Sequence, residues 1–332
     1  MPTDQSDPSE LARENESMTR HVVVLAGGLS HEREVSLRSG SRLHEALRQF
    51  GMDVTMRDAD ADLIPWLSET KPDAAIIALH GGRGENGAMQ GILEMVGVPY
   101  LGTPAKNCRL AWEKNIAKNL VERTGFSTPP WMSLAHSTFR DLGAGALIDA
   151  LVGYLGLPLM VKPQHGGSAL GAGVVRTGEG LPAALVGAFA YGEIVIVERF
   201  VEGVELAVTV LEEGDGARAL PAVEIAPSSG FFDYESRYTA GLTTYFTPAR
   251  LSDEVAAAAA DLAIGAHRAL GLRDLSRTDA IASADGTVQF LEVNVSPGLT
   301  ETSMLPMSVA ASGRELGAVY ADLVERAIAR AD

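Results

Sequence analysis

The chain has 332 residues, of which 46% are hydrophobic and 21% charged, and its formal net charge is −16. This composition is ordinary for a globular protein, and the length allows two or three compact units that share one cleft. The acidic balance argues against a general nucleic-acid binder, because a phosphate backbone is bound by Lys and Arg.

The N-terminal segment is acidic and carries no apolar run. Residues 1–20 lack the hydrophobic core of a signal peptide, so we expect a disordered acidic extension there. Cys108 is the only cysteine, which excludes an intramolecular disulfide. Apolar stretches elsewhere end after a few residues, far short of a membrane span, and we therefore predict a cytoplasmic protein with no membrane partner.

The first predicted unit, residues 21–112, alternates strands with helices. Residues 21–25 are β-branched and apolar, which is typical of a buried parallel strand. Helical spacing over 35–50, a second strand at 74–79, a glycine-rich segment at 80–87 and a helix at 89–96 follow. This alternation predicts an N-terminal α/β domain with a parallel sheet.

Two further units, of mixed α+β character, are predicted to follow. The central unit, 113–205, has predicted helices at 114–124 and near 140–154, and predicted strands at 159–162, 173–175 and 194–198. The C-terminal unit, 206–332, has a predicted strand at 206–210, a Gly- and Ser-rich loop around 226–245, an alanine-rich helix at 253–270, a β-hairpin at 278–295 and a closing helix at 314–330.

The hairpin is the most informative segment. A turn at Asp285-Gly286 places Asp279 opposite Glu292 and Arg277 opposite Asn294. Because side chains alternate along a strand, these four lie on one face. The other face, which we expect to be core, carries Leu291, Val293, Ala280 and Thr278.

Two opposed carboxylates repel each other unless a cation neutralises them. Glu292, Asp279 and Asn294 offer oxygen ligands of the kind that suits magnesium bound to nucleotide phosphates. Arg277 would stabilise negative charge that develops during a reaction, and the Gly298 N–H beyond the strand would act as an oxyanion donor. The alternative interpretation is a solvated hairpin face with an Arg–carboxylate bridge.

A second glycine-rich segment follows the predicted strand that ends at Lys162. Residues 164–173 contain four glycines, so backbone N–H groups can converge there on an anion, with Lys162 at the edge. The segment is not a P-loop, and no dinucleotide fingerprint follows the first strand. A tight turn without phosphate binding remains the alternative.

Taken in order, these segments resemble the D-alanine–D-alanine ligase family of the ATP-grasp superfamily over residues 21–330. The motifs that carry the resemblance are GGLSHEREVSL at 27–37, LHGGRGENG at 79–87, VKP at 161–163, DYESRY at 233–238, RTD at 277–279 and EVNVSPG at 292–298. The resemblance implies an ATP-grasp fold and the joining of two D-alanines through an acyl phosphate for peptidoglycan precursors. It also implies a homodimer formed through the N-terminal unit.

The resemblance assigns a role to each candidate site residue. Two magnesium ions, or manganese in their place, would be held by Asp279, Glu292 and Asn294. ATP phosphates would contact Lys114 and Lys162 beneath the loop of Ser168, and adenosine would lie among Glu198, Val201 and Glu205. Glu32 would bind the ammonium of the first D-alanine, Arg277 and the Gly298 N–H would stabilise the oxyanion, and Ser303 with the Met304 N–H would receive the second carboxylate. Tyr238, on a mobile loop, would reach Glu32 and Ser168 and seal the site.

Three departures from the family pattern concern substrate identity. Arg237 stands where lysine is usual, Ala169 replaces a common serine, and Met304 replaces leucine. The alternatives are therefore a related ligase for D-serine, D-lactate or a specialised dipeptide, and a catalytically silent nucleotide-binding protein. Tyr238 favours D-alanine as the acceptor, and a dehydrogenase is disfavoured by the missing dinucleotide fingerprint.

Overall fold

The computed structural model describes residues 20–214, 216–239 and 241–331. Apart from Arg20, the predicted acidic extension lies outside these residues. Within them, no helix combines the length and the apolar character that a membrane crossing requires.

The N-terminal part is a parallel four-stranded sheet with helices on its faces, as predicted. Its elements are β1 (His21–Leu25), α1 (Arg33–Gln49), β2 (Asp53–Arg57), α2 (Leu63–Thr70), β3 (Ala74–Ile77), α3 (Ala88–Val96), β4 (Tyr100–Leu101) and α4 (Ala105–Trp112). The strand order is β2-β1-β3-β4. A short 3₁₀ helix, Gly82–Gly84, lies in the glycine-rich segment after β3.

The central part is an antiparallel sheet in the order β5-β8-β6-β7. Its elements are α5 (Lys114–Arg123), β5 (Trp131–Ala135), α6 (His136–Leu142), α7 (Ala144–Leu155), β6 (Leu159–Pro163), β7 (Gly173–Val175), α8 (Leu181–Phe189) and β8 (Ile194–Arg199). The helix predicted near 140–154 is present as α7, but its predicted start is wrong, since residues 140–142 belong to α6. Gly143, at φ +87°, separates the two helices, because this backbone conformation cannot continue a right-handed helix.

The C-terminal part is a larger antiparallel sheet in the order β12-β11-β9-β13-β14, with β10 paired to β9. Its elements are β9 (Val204–Glu213), β10 (Gly216–Ala219), β11 (Val223–Pro227), α9 (Tyr234–Tyr238), β12 (Thr243–Phe246), α10 (Asp253–Ala269), β13 (Leu275–Ala282), β14 (Val288–Asn294), α11 (Met304–Ala311) and α12 (Leu316–Ala329). The predicted loop at 226–245 therefore contains a short helix. The Asp233 carboxylate caps it by accepting the Ser236 N–H.

The predicted pairing of the hairpin at the candidate site is confirmed: Asp279 pairs with Glu292, and Arg277 pairs with Asn294. Two irregularities offset each other to give this register. Ser283 N–H donates to the Thr287 carbonyl, so the turn has one residue more than the two predicted. A bulge between Asp279 and Ala280 restores the predicted pairs beyond it.

The same bulge makes one prediction about the hairpin wrong. Leu291 was expected on the core face, but it lines the large cavity beside Glu292. The extra residue of the bulge shifts the alternation by one, and Phe290 takes the buried place instead. Val293, Ala280 and Thr278 are buried as predicted.

The N-terminal sheet is buried on both faces. Val22 and Val24 pack in one core with residues of α1 and α12, whereas Val23 and Leu25 pack in another with residues of α2 and α3. This explains why β1 has a continuous apolar sequence. Because α12 comes from the far end of the chain, this packing holds the N-terminal sheet against the C-terminal sheet and brings Glu32 towards the hairpin.

Candidate active site

Two cavities meet at the junction of the three sheets. The larger, about 480 Å³, lies between the central and C-terminal sheets. The smaller, about 90 Å³, lies between the N-terminal sheet and the hairpin. Gly167, Phe232, Arg237 and Glu292 line both, so these residues form the boundary across which two ligands could react.

The hairpin face places the predicted metal ligands at this boundary. Buried Arg277 binds Asp279 through two hydrogen bonds, Nε to Oδ1 at 2.7 Å and Nη2 to Oδ2 at 2.8 Å. Glu292 Oε2 lies 3.3 Å from Lys114 Nζ, and Asn294 Oδ1 accepts the Ser296 N–H at 2.8 Å. The alternative of a solvated face is excluded for Arg277 and Asp279, because both are buried.

Charge at the boundary controls the ionisation of these groups. Burial alone would raise the pKa of Glu292, but Lys114, Lys162 and Arg237 outweigh it and hold the pKa at about 2. Burial likewise opposes the charged form of Arg277, yet the Asp279 carboxylate raises the pKa of that guanidinium. Both groups are therefore charged at neutral pH.

The residues present fit a magnesium ion. Among the described residues, no group of three His, Cys, Asp or Glu side chains that could hold a metal is found. The hairpin face instead offers two carboxylates and an amide oxygen. This smaller set suits an ion that keeps phosphate oxygens and waters as its other ligands. Lys114 and Arg277 now neutralise the two carboxylates.

A buried ion cluster forms the floor of the larger cavity. Glu198 lies between two lysines, with Oε1 2.5 Å from Lys162 Nζ and Oε2 2.7 Å from Lys118 Nζ. Sequence reasoning missed Lys118, which is fully buried and also donates to Thr128 Oγ1 at 2.5 Å. Its spacing of one helical turn from Lys114 on α5 was the available signal. Burial lowers the pKa of Lys118 to about 8.

The remaining residues predicted around adenosine also line the larger cavity. Val201 and Glu205 lie on its wall with apolar side chains that sequence reasoning did not select, namely Met160, Phe200 and Leu291. Burial raises the pKa of Glu205 to about 7, with Arg237 opposing this and Asp279 adding to it. An apolar wall with a few polar groups is typical of a purine site.

The smaller cavity is built around Glu32, the residue that precedes α1. Its carboxylate accepts a hydrogen bond from Ser168 Oγ. Gly81 adopts φ +69° and ψ 160°, and a Cβ there would lie 2.5 Å from Glu32 Oε2. Only glycine therefore allows the carboxylate to approach this backbone.

Two further groups of this cavity were not selected from the sequence. Glu85 Oε1 accepts the Gly81 N–H at 2.8 Å, and burial, reinforced by the charge of Glu32, raises the pKa of Glu85 to about 7. His80 Nδ1 is 3.1 Å from the Ser296 carbonyl oxygen and Nε2 is 2.8 Å from Ser39 Oγ. Burial lowers the pKa of His80 to about 4, so its ring is neutral.

The other end of the smaller cavity contains the predicted acceptor groups. Gly298, Ser303 and Met304 all line it, and Met304 is the first residue of α11. Ser303 Oγ accepts the Thr300 N–H at 3.0 Å, and a Cβ on Gly298 would lie 2.8 Å from that oxygen. N–H groups at a helix start can receive a carboxylate, as predicted for Met304.

Helix α9 brings Arg237 to the boundary between the cavities. Its guanidinium stacks on Phe232, with 4.2 Å between Cζ and the ring centroid. Its Nε is buried and has no hydrogen-bond partner among the described residues. The backbone of Tyr238 ends α9. The predicted reach of its side chain to Glu32 and Ser168 lies outside what the structure describes.

The chain is similar to known proteins over most of its length. The family model described as D-ala D-ala ligase C-terminus matches residues 120–329. A D-alanine–D-alanine ligase of Anaeromyxobacter dehalogenans (strain 2CP-C) is 40% identical over 308 residues, which are 92% of this chain and 95% of that protein. One from Desulforudis audaxviator is 40% identical over 312 residues, or 94% and 98%.

Solved structures agree in fold. The VanG D-Ala:D-Ser ligase from Enterococcus faecalis superposes with a TM-score of 0.77 at 28% identity, covering 95% of this chain and all of that one. A D-alanine–D-alanine ligase from Bacillus anthracis complexed with ATP gives 0.78 at 27% identity, covering 94% and 98%. These similarities confirm the predicted ATP-grasp architecture.

Proposed function

The chain belongs to the D-alanine–D-alanine ligase family, and from this we propose that it uses ATP to join two D-alanines into D-alanyl-D-alanine for peptidoglycan precursors. The observation that carries the proposal is the meeting of the two cavities at Glu292, Arg237 and Gly167. A nucleotide in the larger cavity would direct its terminal phosphate to a carboxylate in the smaller one. The ATP complex of the Bacillus anthracis ligase supports ATP as the nucleotide.

In the first step, a carboxylate oxygen of the first D-alanine attacks the γ-phosphorus of ATP and ADP leaves. Glu32 fixes the ammonium of this D-alanine, so that its carboxylate faces the boundary. Lys114 and Lys162 bind phosphate oxygens, and the loop of Ser168 covers them. For Lys114, this requires its present contact with the Gly166 carbonyl, 2.7 Å, to be exchanged for phosphate.

In the second step, the free amine of the second D-alanine attacks the acyl carbon. The tetrahedral intermediate then expels inorganic phosphate, and the amine loses a proton as the peptide bond forms. Arg277 and the Gly298 N–H stabilise the oxyanion, while Ser303 and the Met304 N–H hold the second carboxylate. Arg237 and Tyr238 close the boundary against water, which would hydrolyse the acyl phosphate.

Asp279, Glu292 and Asn294 would hold two magnesium ions, which supply positive charge at the phosphate oxygens when bound. In the same proposal, Glu198, Val201 and Glu205 bind adenosine. We also propose a homodimer that acts in the cytoplasm, on the strength of the family resemblance alone.

Phosphate release by the purified chain tests the proposal. With ATP and magnesium, D-alanine alone should support phosphate release, and mass spectrometry should detect D-alanyl-D-alanine in equal amount. The same assay with L-alanine alone, and with D-serine or D-lactate added to D-alanine and the products identified by mass spectrometry, measures selectivity. ATP binding without phosphate release under any condition would favour the silent nucleotide-binding alternative.

A D-alanine–D-serine ligase is the second candidate. It is favoured by the similarity to the VanG structure and by Arg237, whose planar guanidinium replaces the usual lysine at the boundary. Competition between equal concentrations of D-alanine and D-serine distinguishes the two. Excess D-alanyl-D-serine at pH 7 would support the second candidate.

A further inference from the structure

The stem of the glycine-rich loop is attached to the junction between α4 and α5. Three consecutive loop residues, 164–166, contact three consecutive junction residues, 112–114. The rings of His165 and Trp112 are stacked, with centroids 6.0 Å apart and planes 5° from parallel. His165 Nε2 also lies 2.8 Å from Glu113 Oε2, and the Gly166 carbonyl accepts a hydrogen bond from Lys114 Nζ at 2.7 Å.

The buried side-chain amide of Gln164 also contacts this junction. Gln164 Nε2 donates to the same Glu113 Oε2, and Gln164 Oε1 accepts from Ser133 Oγ on β5 at 3.2 Å. Gln164 is 3% exposed, whereas the His165 side chain is 40% exposed and lines the larger cavity. His165 is therefore the part of the attachment that faces the nucleotide side.

His165 is also the last side chain before two consecutive glycines, whose backbone is less restricted than that of other residues. Gly166 follows at φ +111°, and a Cβ placed on it would meet nothing within 4 Å. Ordering such a segment costs conformational entropy, and a fixed stem reduces that cost at the moment of binding. Lys114, a residue of the α4–α5 junction, is held against the loop by its hydrogen bond to the Gly166 carbonyl.

We propose that His165 is a positioning residue for the ATP phosphates. It acts through its stacking on Trp112 and its contact with Glu113. It holds the entrance of the glycine-rich loop at a set distance from Lys114, so that both reach the same phosphates. This inference rests on the proposed ATP-dependent function. It concerns only nucleotide binding, because His165 does not line the smaller cavity.

Three substitutions of His165 separate its contacts. His165→Ala removes both, His165→Phe keeps the stacking on Trp112, and His165→Asn keeps a polar group near Glu113. His136→Ala is the matched control, since the His136 ring also contacts a ring, that of Phe189 at 5.0 Å, in the same part of the molecule but outside both cavities. The readouts are the Kd for ATP by calorimetry without amino acid, and the KM for ATP, the KM for D-alanine and kcat.

We expect His165→Ala to raise the Kd and KM for ATP about five- to tenfold, in line with a lost ring pair and a lost contact with the Glu113 carboxylate. The Phe and Asn variants should recover part of this loss. In all three His165 variants, the KM for D-alanine should stay within about twofold of that of the unaltered chain, well below a tenfold change. His136→Ala should bind ATP as the unaltered chain does. Trp112→Leu should weaken ATP binding as His165→Ala does, and the double variant should lose little more.

The inference is overturned if His165→Ala binds ATP normally, or if the KM for D-alanine rises as much as that for ATP. If His165→Ala does not fold, the Phe and Asn variants decide by the same criterion. Failure of the proposed function gives a different result, because the unaltered chain would then release no phosphate from ATP with D-alanine, whichever residue stands at position 165.

Discussion

The larger and smaller cavities hold their charged groups in different ways. In the larger one, two of the carboxylates stand beside cations: Glu198 between Lys118 and Lys162, and Glu292 beside Lys114. In the smaller one, Glu32 is hydrogen-bonded by the Ser168 hydroxyl and Glu85 by the Gly81 N–H. A ligand of the larger cavity must therefore exchange with an ion pair already present, whereas a ligand of the smaller one can bring a cation to carboxylates held by neutral groups. Phosphate with magnesium suits the first arrangement, and an amino-acid ammonium suits the second.

The largest effect is expected from breaking the charge balance of the larger cavity. Glu292→Gln keeps the size of the side chain but removes the charge that faces Lys114. We expect kcat to fall at least about a hundredfold and the magnesium dependence to shift to higher concentration, since a metal ligand supplies several kcal/mol to the transition state. Phosphate release at varied magnesium concentration measures this.

Asp285→Asn is the control for Glu292→Gln. It removes a carboxylate from the turn of the same hairpin, where the side chain accepts the Thr287 N–H. Its activity and magnesium dependence should match those of the unaltered chain. A Glu292→Gln enzyme with normal kcat would mean that the metal ligands lie elsewhere.

The next effect tests the neutral support of the smaller cavity. Gly81→Ala places a Cβ 2.5 Å from Glu32 Oε2 on a backbone that disfavours L-residues, so Glu32 must move. We expect kcat/KM for D-alanine to fall roughly 10- to 100-fold, as for other displaced positioning groups, while the Kd for ATP stays unchanged. Steady-state kinetics and calorimetry give the two values.

Gly82→Ala provides the comparison for Gly81→Ala. Gly82 also has a positive φ, +42°, but a Cβ there would meet nothing within 4 Å. The difference between the two alanine variants therefore isolates the contact with Glu32 from backbone strain. Equal losses in both variants would show that strain, and not the position of Glu32, is responsible.

The pairing within the hairpin and the contacts between distant residues were not equally predictable from the sequence. The facing of Asp279 and Glu292 followed from a turn signal and strand alternation, which depend on neighbours along the chain. This pairing was predicted correctly although the predicted turn was one residue too short, because the bulge compensates for the missing residue. The bulge itself has no sequence signal that we recognised, so Leu291 was assigned to the wrong face.

Residues that act through distant partners escaped sequence reasoning. Lys118 resembles any lysine on an amphipathic helix until β8 places Glu198 next to it. His165 and Trp112 are 53 positions apart, and only the packing of the loop on the α4–α5 junction makes them a stacked pair. Burial of a charge or a ring contact across the chain is a property of the tertiary structure, which pattern arguments do not reach.

A smaller effect is expected from the far side of Glu198. Lys118→Met keeps the length and apolar stem of the side chain but leaves Glu198 with Lys162 as its one cation within 4 Å among the described residues. We expect the unfolding free energy to fall by about 3 kcal/mol and the KM for ATP to rise about tenfold, since breaking a buried pair leaves uncompensated charge. Thermal unfolding with and without ATP separates the two contributions.

Lys106→Met, on the exposed side of α4, is the control for Lys118→Met. It removes the same charge from the same chain without touching the cluster, and both measurements should be unchanged. If Lys118→Met lowers stability but leaves the KM for ATP as it was, Lys118 supports the fold alone and does not position Glu198 for the nucleotide.

The smallest effect concerns the carboxylates of the smaller cavity and depends on pH. Burial raises the pKa of Glu85 from 4.5 to about 7, so between these values the folded chain binds a proton that the unfolded chain has lost. Stability contributed by this group therefore falls as pH rises through that window, and the penalty is complete above pH 7.

Glu85→Gln keeps an oxygen for the Gly81 N–H and avoids the penalty. Its Tm should equal that of the unaltered chain at pH 4.5 and exceed it by about 3 °C or more at pH 8. Saturating D-alanine should narrow the gap at pH 8, because its ammonium adds positive charge beside Glu32 and Glu85. Exposed Glu69→Gln should show no such pH dependence, and a gap that is constant with pH would mean that Glu85 is ionised in the folded chain throughout.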